Sequence, residues 1–316
     1  MALATTYPRE TSGLASVASD DAARFDAVEL EHSQLAAYRH LVDGPVAMDL
    51  HNIESVLLEN YAASATGIVS RLVAAFEARP MRRIESRLVS RFDLLAVVSG
   101  NDLEELRALS SVGAEPRAAL VVASNGVSDV CFEFDGSRSL SVVFVAHLGW
   151  RPNVDAALWL TREVWPHVRR LAPELELHLV GRSPAVVVQR LAASNVRVFA
   201  DVPSTLEYVG GAKVATAPLL AAGGTRLKIL EALAVGTPVV ATSLGALGLE
   251  SLESLEGPSL AIEDAPEAFA RRIVDAARTT PPIEHTRALV KDYRWDRALS
   301  SLVDGVSALI RPGSAE

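Results

Sequence analysis

Short apolar runs rich in β-branched residues alternate along this chain with longer stretches whose apolar residues recur every three or four positions. The short runs predict strands at Phe25–Glu31, Val46–Leu50, Leu94–Val98, Leu120–Ala123, Val142–Ala146, Leu175–Val180, Val196–Phe199, Val214–Ala217, Pro238–Thr242 and Ser259–Ile262. The periodic stretches predict helices between them, most clearly over Val154–Leu171, Thr225–Val235, Ala265–Arg278 and Trp295–Ile310. Runs that are apolar at nearly every position mark strands buried on both faces, as in a parallel sheet covered by helices. The alternation is that of βαβ units, which sets the class as α/β with Rossmann-like domains.

The turn pairs Asn-Gly and Asp-Gly within Ser124–Ser139 (SNGVSDVCFEFDGSRS) divide the chain. We expect an N-terminal domain over 1–128, a complete second domain over 129–292, and a closing helix and tail over 293–316. The first domain offers only three or four strands, so its sheet is expected to be incomplete, with an open edge. A second copy of the chain, a partner chain or the N-terminal segment would cover that edge. The expected consequence is dimerisation, aggregation or low stability of the isolated chain.

Composition narrows the function. Lys and Arg number 30 against 39 Asp and Glu, a net charge of −9, which argues against a bulk nucleic-acid binder. The single cysteine, Cys131, excludes an intrachain disulfide framework and reads as a small buried apolar residue. Met1–Ser19 carries no basic segment followed by an apolar one, and no apolar run is long enough to span a bilayer, so the default expectation is a cytoplasmic protein.

The chemistry concentrates in Pro218–Leu249, PLLAAGGTRLKILEALAVGTPVVATSLGALGL. A strand ends at Pro218, Gly223 and Gly224 follow, and a helix begins. In open α/β sheets ligands sit at the carboxyl ends of strands beside helix N-termini, and two glycines there let backbone N–H groups approach an anion. Arg226 and Lys228 fall in the first helical turn, where the helix dipole disfavours cations by roughly 0.3–1 kcal/mol each. A multiply charged anion would restore the balance. Glu231, three residues past Lys228, fits either an intrahelical pair with it or hydrogen bonds to vicinal hydroxyls such as those of a ribose. No compact carboxylate cluster of the Asp-x-Asp type stands out, so no metal is expected.

This stretch resembles the donor-binding segment of glycosyltransferase family 4, the group 1 glycosyltransferases of GT-B fold. Other stretches resemble the family in the same order: Asp49–Glu54 (DLHNIE), Glu85–Leu103, Ser124–Val127 (SNGV), Phe144–Ala156 (FVAHLGWRPNVDA), Glu163–Arg182 and Tyr293–Trp295. The resemblance implies a retaining glycosyltransferase that moves a sugar from a nucleotide-diphosphate sugar to an acceptor: a glycan, a lipid-linked sugar or a small molecule. It implies that Gly223, Gly224, Thr225, Arg226 and Lys228 hold the diphosphate and that Glu231 binds the ribose. It further implies that His51 faces the donor sugar and that Phe199, Asp201 and Val202 lie near the base. No cofactor beyond the donor is implied.

The chain also departs from the family. Gly223 stands eight residues before Glu231, where many members have a first glutamate. Ala146 and Ala200 replace usual glycines, and Ser124 and Ser128 replace the usual proline and aspartate around Asn125-Gly126-Val127. Members usually carry further strands and a glycine-rich acceptor loop before the counterpart of Phe25–Glu31. Two alternatives follow: a non-catalytic or truncated GT-B protein that binds a nucleotide sugar, and a nucleotide-sugar 2-epimerase.

Overall fold

A computed structural model describes residues 25–64, 67–110, 117–136, 138–220, 227–249 and 257–310. The chain forms two compact units, the first drawn from Met1–Ser124 and Leu299–Glu316, the second from Asn125–Ala298.

The first unit holds four parallel strands in sequential order: β1 (Val28–Glu31), β2 (Val46–Leu50), β3 (Leu94–Val97) and β4 (Ala119–Val122). β1 is shorter than the apolar run that predicts it, because Phe25 is exposed and Val28 begins the ladder with Val46. The two faces of this sheet differ in side-chain size. Val46, Met48, Leu50, Leu95 and Val97 pack on one face with Ile53, Leu88, Phe92 and Leu106. Ala47, Ala96 and Ala123, with Leu94, line the other.

Three helices of this unit need labels at once: α1 (Glu54–Ser64), α2 (Ile68–Glu85) and α3 (Gly100–Ser110). The start of α1 is capped from far along the chain. Buried Glu85, the last residue of α2, accepts hydrogen bonds from Glu54 N (2.7 Å), Ser55 N (3.2 Å) and Ser55 Oγ (2.5 Å). Ser33 Oγ donates a fourth, at 3.3 Å. One carboxylate thus satisfies N–H groups that a helix start leaves free. Along α2, Ala74 and Ala78 face inward, while Ile68, Val69, Leu72 and Phe76 are exposed.

The second unit is a six-stranded parallel sheet of β5 (Ser141–Val145), β6 (Glu176–Gly181), β7 (Val196–Ala200), β8 (Val214–Ala217), β9 (Val239–Ala241) and β10 (Leu260–Ile262). The spatial order is β10-β9-β8-β5-β6-β7, the doubly wound Rossmann order. Alternate residues of β5 enter opposite core layers, Val142 and Phe144 one, Val143 the other. Both faces are covered, which is why these strands read as uninterrupted apolar runs. Among the covering helices are α4 (Leu227–Ala234) and α5 (Pro266–Thr279).

Two expected helices are not continuous. The run predicted over Val154–Leu171 forms Arg151–Trp159 and Trp165–Leu171, joined by a π-helical turn over Leu160–Val164. Pro166 lies just beyond it and has no N–H for the preceding turn, which forces the ladder to widen. The run over Trp295–Ile310 is a short helix Trp295–Ala298 in the second unit and α6 (Ser300–Ile310) in the first. Trp295 is held by the segment after β4: a Cβ on Gly126 would lie 2.3 Å from the Trp295 ring, and Val127 N donates to Tyr293 O at 2.7 Å. Arg294 pairs with Asp129 and lies 4.0 Å over the Phe132 ring. α6 packs on β4 and β3, with Leu302 buried against the small-residue face. Gly305 permits the close approach, since a Cβ there would sit 2.9 Å from a Leu94 methyl.

Candidate functional site

The strand order of the second sheet reverses between β5 and β8, and ligands of open α/β sheets bind at the carboxyl ends of strands at such a point. The loops there are tightly joined. Gly181, with φ of 152°, ends β6, and a Cβ on it would lie 1.7 Å from the Ala146 carbonyl oxygen after β5. Asn153 donates to His147 O at 3.1 Å and steadies the same loop. At the end of β8, Thr242 Oγ1 donates to Leu219 O (2.6 Å) and accepts from Gly245 N (2.9 Å).

α4 begins beside this point. Lys228 lies in its first turn, and its Nζ is 4.9 Å from the ring centre of Phe144, a buried residue of β5. The expected helix start at Thr225 lies outside the described residues, as do Gly223, Gly224, Thr225 and Arg226. Glu231 is half-buried one turn further on. Burial raises its carboxyl above the ordinary carboxylate value, and the Lys228 ammonium opposes that rise. Cys131 is buried nearby, and its thiol is pushed up to about 11, first by burial and then by Glu231. At that value it is a neutral thiol at physiological pH, in keeping with the small buried apolar residue that the sequence suggests.

The three residues expected near a base lie at the end of β7. Phe199 packs between His178 (5.0 Å between ring centres) and Tyr208 (4.9 Å). Burial lowers the His178 imidazole below its ordinary value. Asp201 has φ of 53°, its N–H donates to Gly181 O at 2.9 Å, and its Oδ1 accepts from Ser183 N at 2.8 Å. Its carboxylate is engaged in holding the β6 and β7 loops together. Val202 packs against the core layer that contains Ile229 and Leu230.

His51 belongs to the first unit and follows β2 directly. Its Nε2 is 3.6 Å from Asp49 Oδ2, and its ring centre is 4.4 Å from that of His32. Burial raises the Asp49 carboxyl; His51 opposes this, Glu31 adds to the rise, and His32 opposes it. Glu29, also raised by burial and by Asp49, completes a group of three carboxylates and two imidazoles at this edge. Glu31, His32 and Asp49 were not candidates from the sequence. The signal is the two-residue period, Glu29 with Glu31 and Asp49 with His51, on strands that become neighbours only through the Glu31–Asp49 register.

Residues 139–279 match the family described as "Glycosyl transferases group 1". The likeness is to group 1 glycosyltransferases. No curated protein matches the chain by sequence. Among solved structures, TarM is similar over 90% of this chain and 55% of its own, at 11% identity and a TM-score of 0.66. The pneumococcal O-GlcNAc transferase GtfA, solved in complex with UDP and GlcNAc, is similar over 95% of this chain and 60% of its own, at 10% identity and a TM-score of 0.68. An α,α-trehalose 6-phosphate synthase from Burkholderia multivorans is similar over 93% and 75%, at 12% identity and a TM-score of 0.61. The chain thus spans little more than half the length of the first two. At such identities the shared property is the fold, the α/β architecture of parallel sheets found in GT-B glycosyltransferases. Among the described residues no helix is long and apolar enough to cross a membrane.

Proposed function

We propose that the chain is a retaining glycosyltransferase that moves a sugar from a nucleotide-diphosphate sugar to an acceptor that is a glycan, a lipid-linked sugar or a small molecule. The observation that carries the reading is Lys228 in the first turn of α4, beside the reversal of strand order and inside the segment that matches group 1 glycosyltransferases. A cation there opposes the helix dipole and suits a bound anion.

Breaking the bond between sugar and phosphate builds negative charge on the departing diphosphate. In this reading Lys228 and Arg226, with the backbone of Gly223, Gly224 and Thr225, stabilise that charge where it develops. Protein cations then neutralise the diphosphate with no metal bound to it. Glu231 accepts hydrogen bonds from the ribose hydroxyls. Phe199 and Val202 border the base, with Asp201 fixing their loop. His51 acts on the donor sugar.

Titration calorimetry with UDP and uridine tests the phosphate assignment. Loss of a charge-assisted hydrogen bond costs about 1.5–3 kcal/mol, so Lys228→Ala is expected to weaken UDP roughly 10–150-fold and leave uridine unchanged. Glu231→Ala is expected to weaken both alike. Equal losses of UDP and uridine in Lys228→Ala would remove the phosphate role. Product analysis with a labelled nucleotide sugar then tests transfer, since a protein that only binds donors forms no glycoside and a 2-epimerase returns an isomerised donor.

A further inference from the structure

The edge of the first sheet gathers chemistry that the transfer reading uses only in part. β1 and β2 run parallel with Glu31 opposite Asp49, so their carboxyl ends release His32 and His51 side by side. His32 N donates to Asp49 O at 2.8 Å, which fixes the chain at that exit. One ligand atom from each of Glu31, His32 and His51 lies within 4.8 Å of the other two. The His51 Nε2 and the Asp49 Oδ1 are sealed from solvent and have no hydrogen-bond partner among the described residues. Buried polar atoms are nearly always satisfied, so the unmet His51 Nε2, a member of that group, calls for a further ligand.

We propose that Glu31, His32 and His51 form a binding site for a divalent transition-metal cation, with Zn2+ the best match. Two imidazoles and one carboxylate are a nitrogen and oxygen set that suits Zn2+, whereas Mg2+ favours oxygens and retained waters. At Zn–N and Zn–O bond lengths of about 2.0–2.2 Å, tetrahedral ligands stand roughly 3.4 Å apart. The three atoms, now within 4.8 Å of one another, would draw together on binding. Asp49 Oδ2 lies 3.6 Å from His51 Nε2, which places a second carboxylate beside the cation site. The site is distinct from the diphosphate residues but shares His51 with the transfer reading, so a bound cation would occupy the imidazole that this reading turns toward the donor sugar.

Calorimetric titration of the untagged full chain with ZnCl2 tests the proposal. The expected result is saturable binding of one Zn2+ per chain, no comparable heat with MgCl2, and affinity reduced about tenfold or more in each of Glu31→Gln, His32→Ala and His51→Ala. Binding that survives intact in the His32→Ala/His51→Ala double variant would overturn it, as would the absence of Zn2+ binding to the parent chain. Imidazole 1H–15N spectra of the parent chain give a readout that needs no variant. Zn2+ should shift the His32 and His51 resonances and leave His178 and His285 in place; shifts confined to other histidines would overturn the assignment.

Discussion

The two sheets are built from the same kind of strand and end in different chemistry. The strand order of the six-stranded sheet reverses between β5 and β8, and Lys228 at the start of α4 meets Phe144 of β5 there. The four described strands of the first unit run in sequential order with no reversal. Their polar groups collect instead at an edge, where Glu29, Glu31 and Asp49 meet His32 and His51. Burial follows the same divide. Strands of the larger sheet are enclosed by two thick core layers, whereas the smaller sheet has one face of large side chains and one of alanines against α6. The position of a polar site thus follows strand order, and the depth of the core follows how many elements close over each face.

If the second unit owes more to its core than the first, the largest loss should come from Phe269→Ala, a fully buried ring that stacks edge-on against Trp159 at 5.3 Å. Truncating such a ring costs about 3–5 kcal/mol, to be read from urea denaturation. A loss under about 1 kcal/mol would mean the cavity collapses and the contrast between the cores is weak.

The first unit depends more on a single carboxylate. Glu85→Ala leaves the Glu54 and Ser55 N–H groups unmet and should cost about 2–4 kcal/mol by the same measurement. Burial raises the Glu85 carboxyl above its unfolded value, against the pull of its hydrogen bonds to Ser55, Glu54 and Ser33. Because the folded value is the higher one, the stability tied to this group is fully present below the unfolded value and is lost as pH rises through the folded one. Glu85→Gln imitates the protonated form. The parent chain should therefore lose stability relative to Glu85→Gln as pH rises from acid toward neutrality, and the opposite slope would contradict the burial argument.

The alanine face of the smaller sheet predicts a milder effect. Gly305→Val would press a branched side chain onto Leu94 and cost about 1–3 kcal/mol through overpacking. The smallest effect is expected on the outward face of α2. Leu72→Ser and Phe76→Ser remove side chains that are already 67% and 75% exposed, so each should change stability by no more than about 0.5 kcal/mol. A larger loss would show that another surface covers this stripe in solution.

All ten strands overlap the segments that the sequence assigns to them, and the central ones are the apolar runs that burial on both faces of a parallel sheet demands. α5 was equally legible, since its apolar residues Phe269, Ala270, Ile273 and Val274 recur on one face. The two broken helices were not legible, since apolar periodicity runs through a π-helical turn or a short break without changing the pattern. At the candidate site, the cation at position 228 and the carboxylate at 231 could be read as one helix face from spacing alone. That Phe144, eighty-four residues earlier, lies beneath Lys228 could not.

What the sequence determined by itself was local: which segments are strands or helices, which residues face inward, and which helix start bears cations against its dipole. These follow from side-chain periodicity and backbone electrostatics within a few turns of chain. Tertiary structure alone decided strand order, register and the partners of buried charges. Ladder hydrogen bonds join backbone groups that are alike at every residue, so nothing local records that β5 lies beside β8. Nor does it record that Glu31 stands opposite Asp49, or that Glu85 caps a helix that begins thirty-one residues before it.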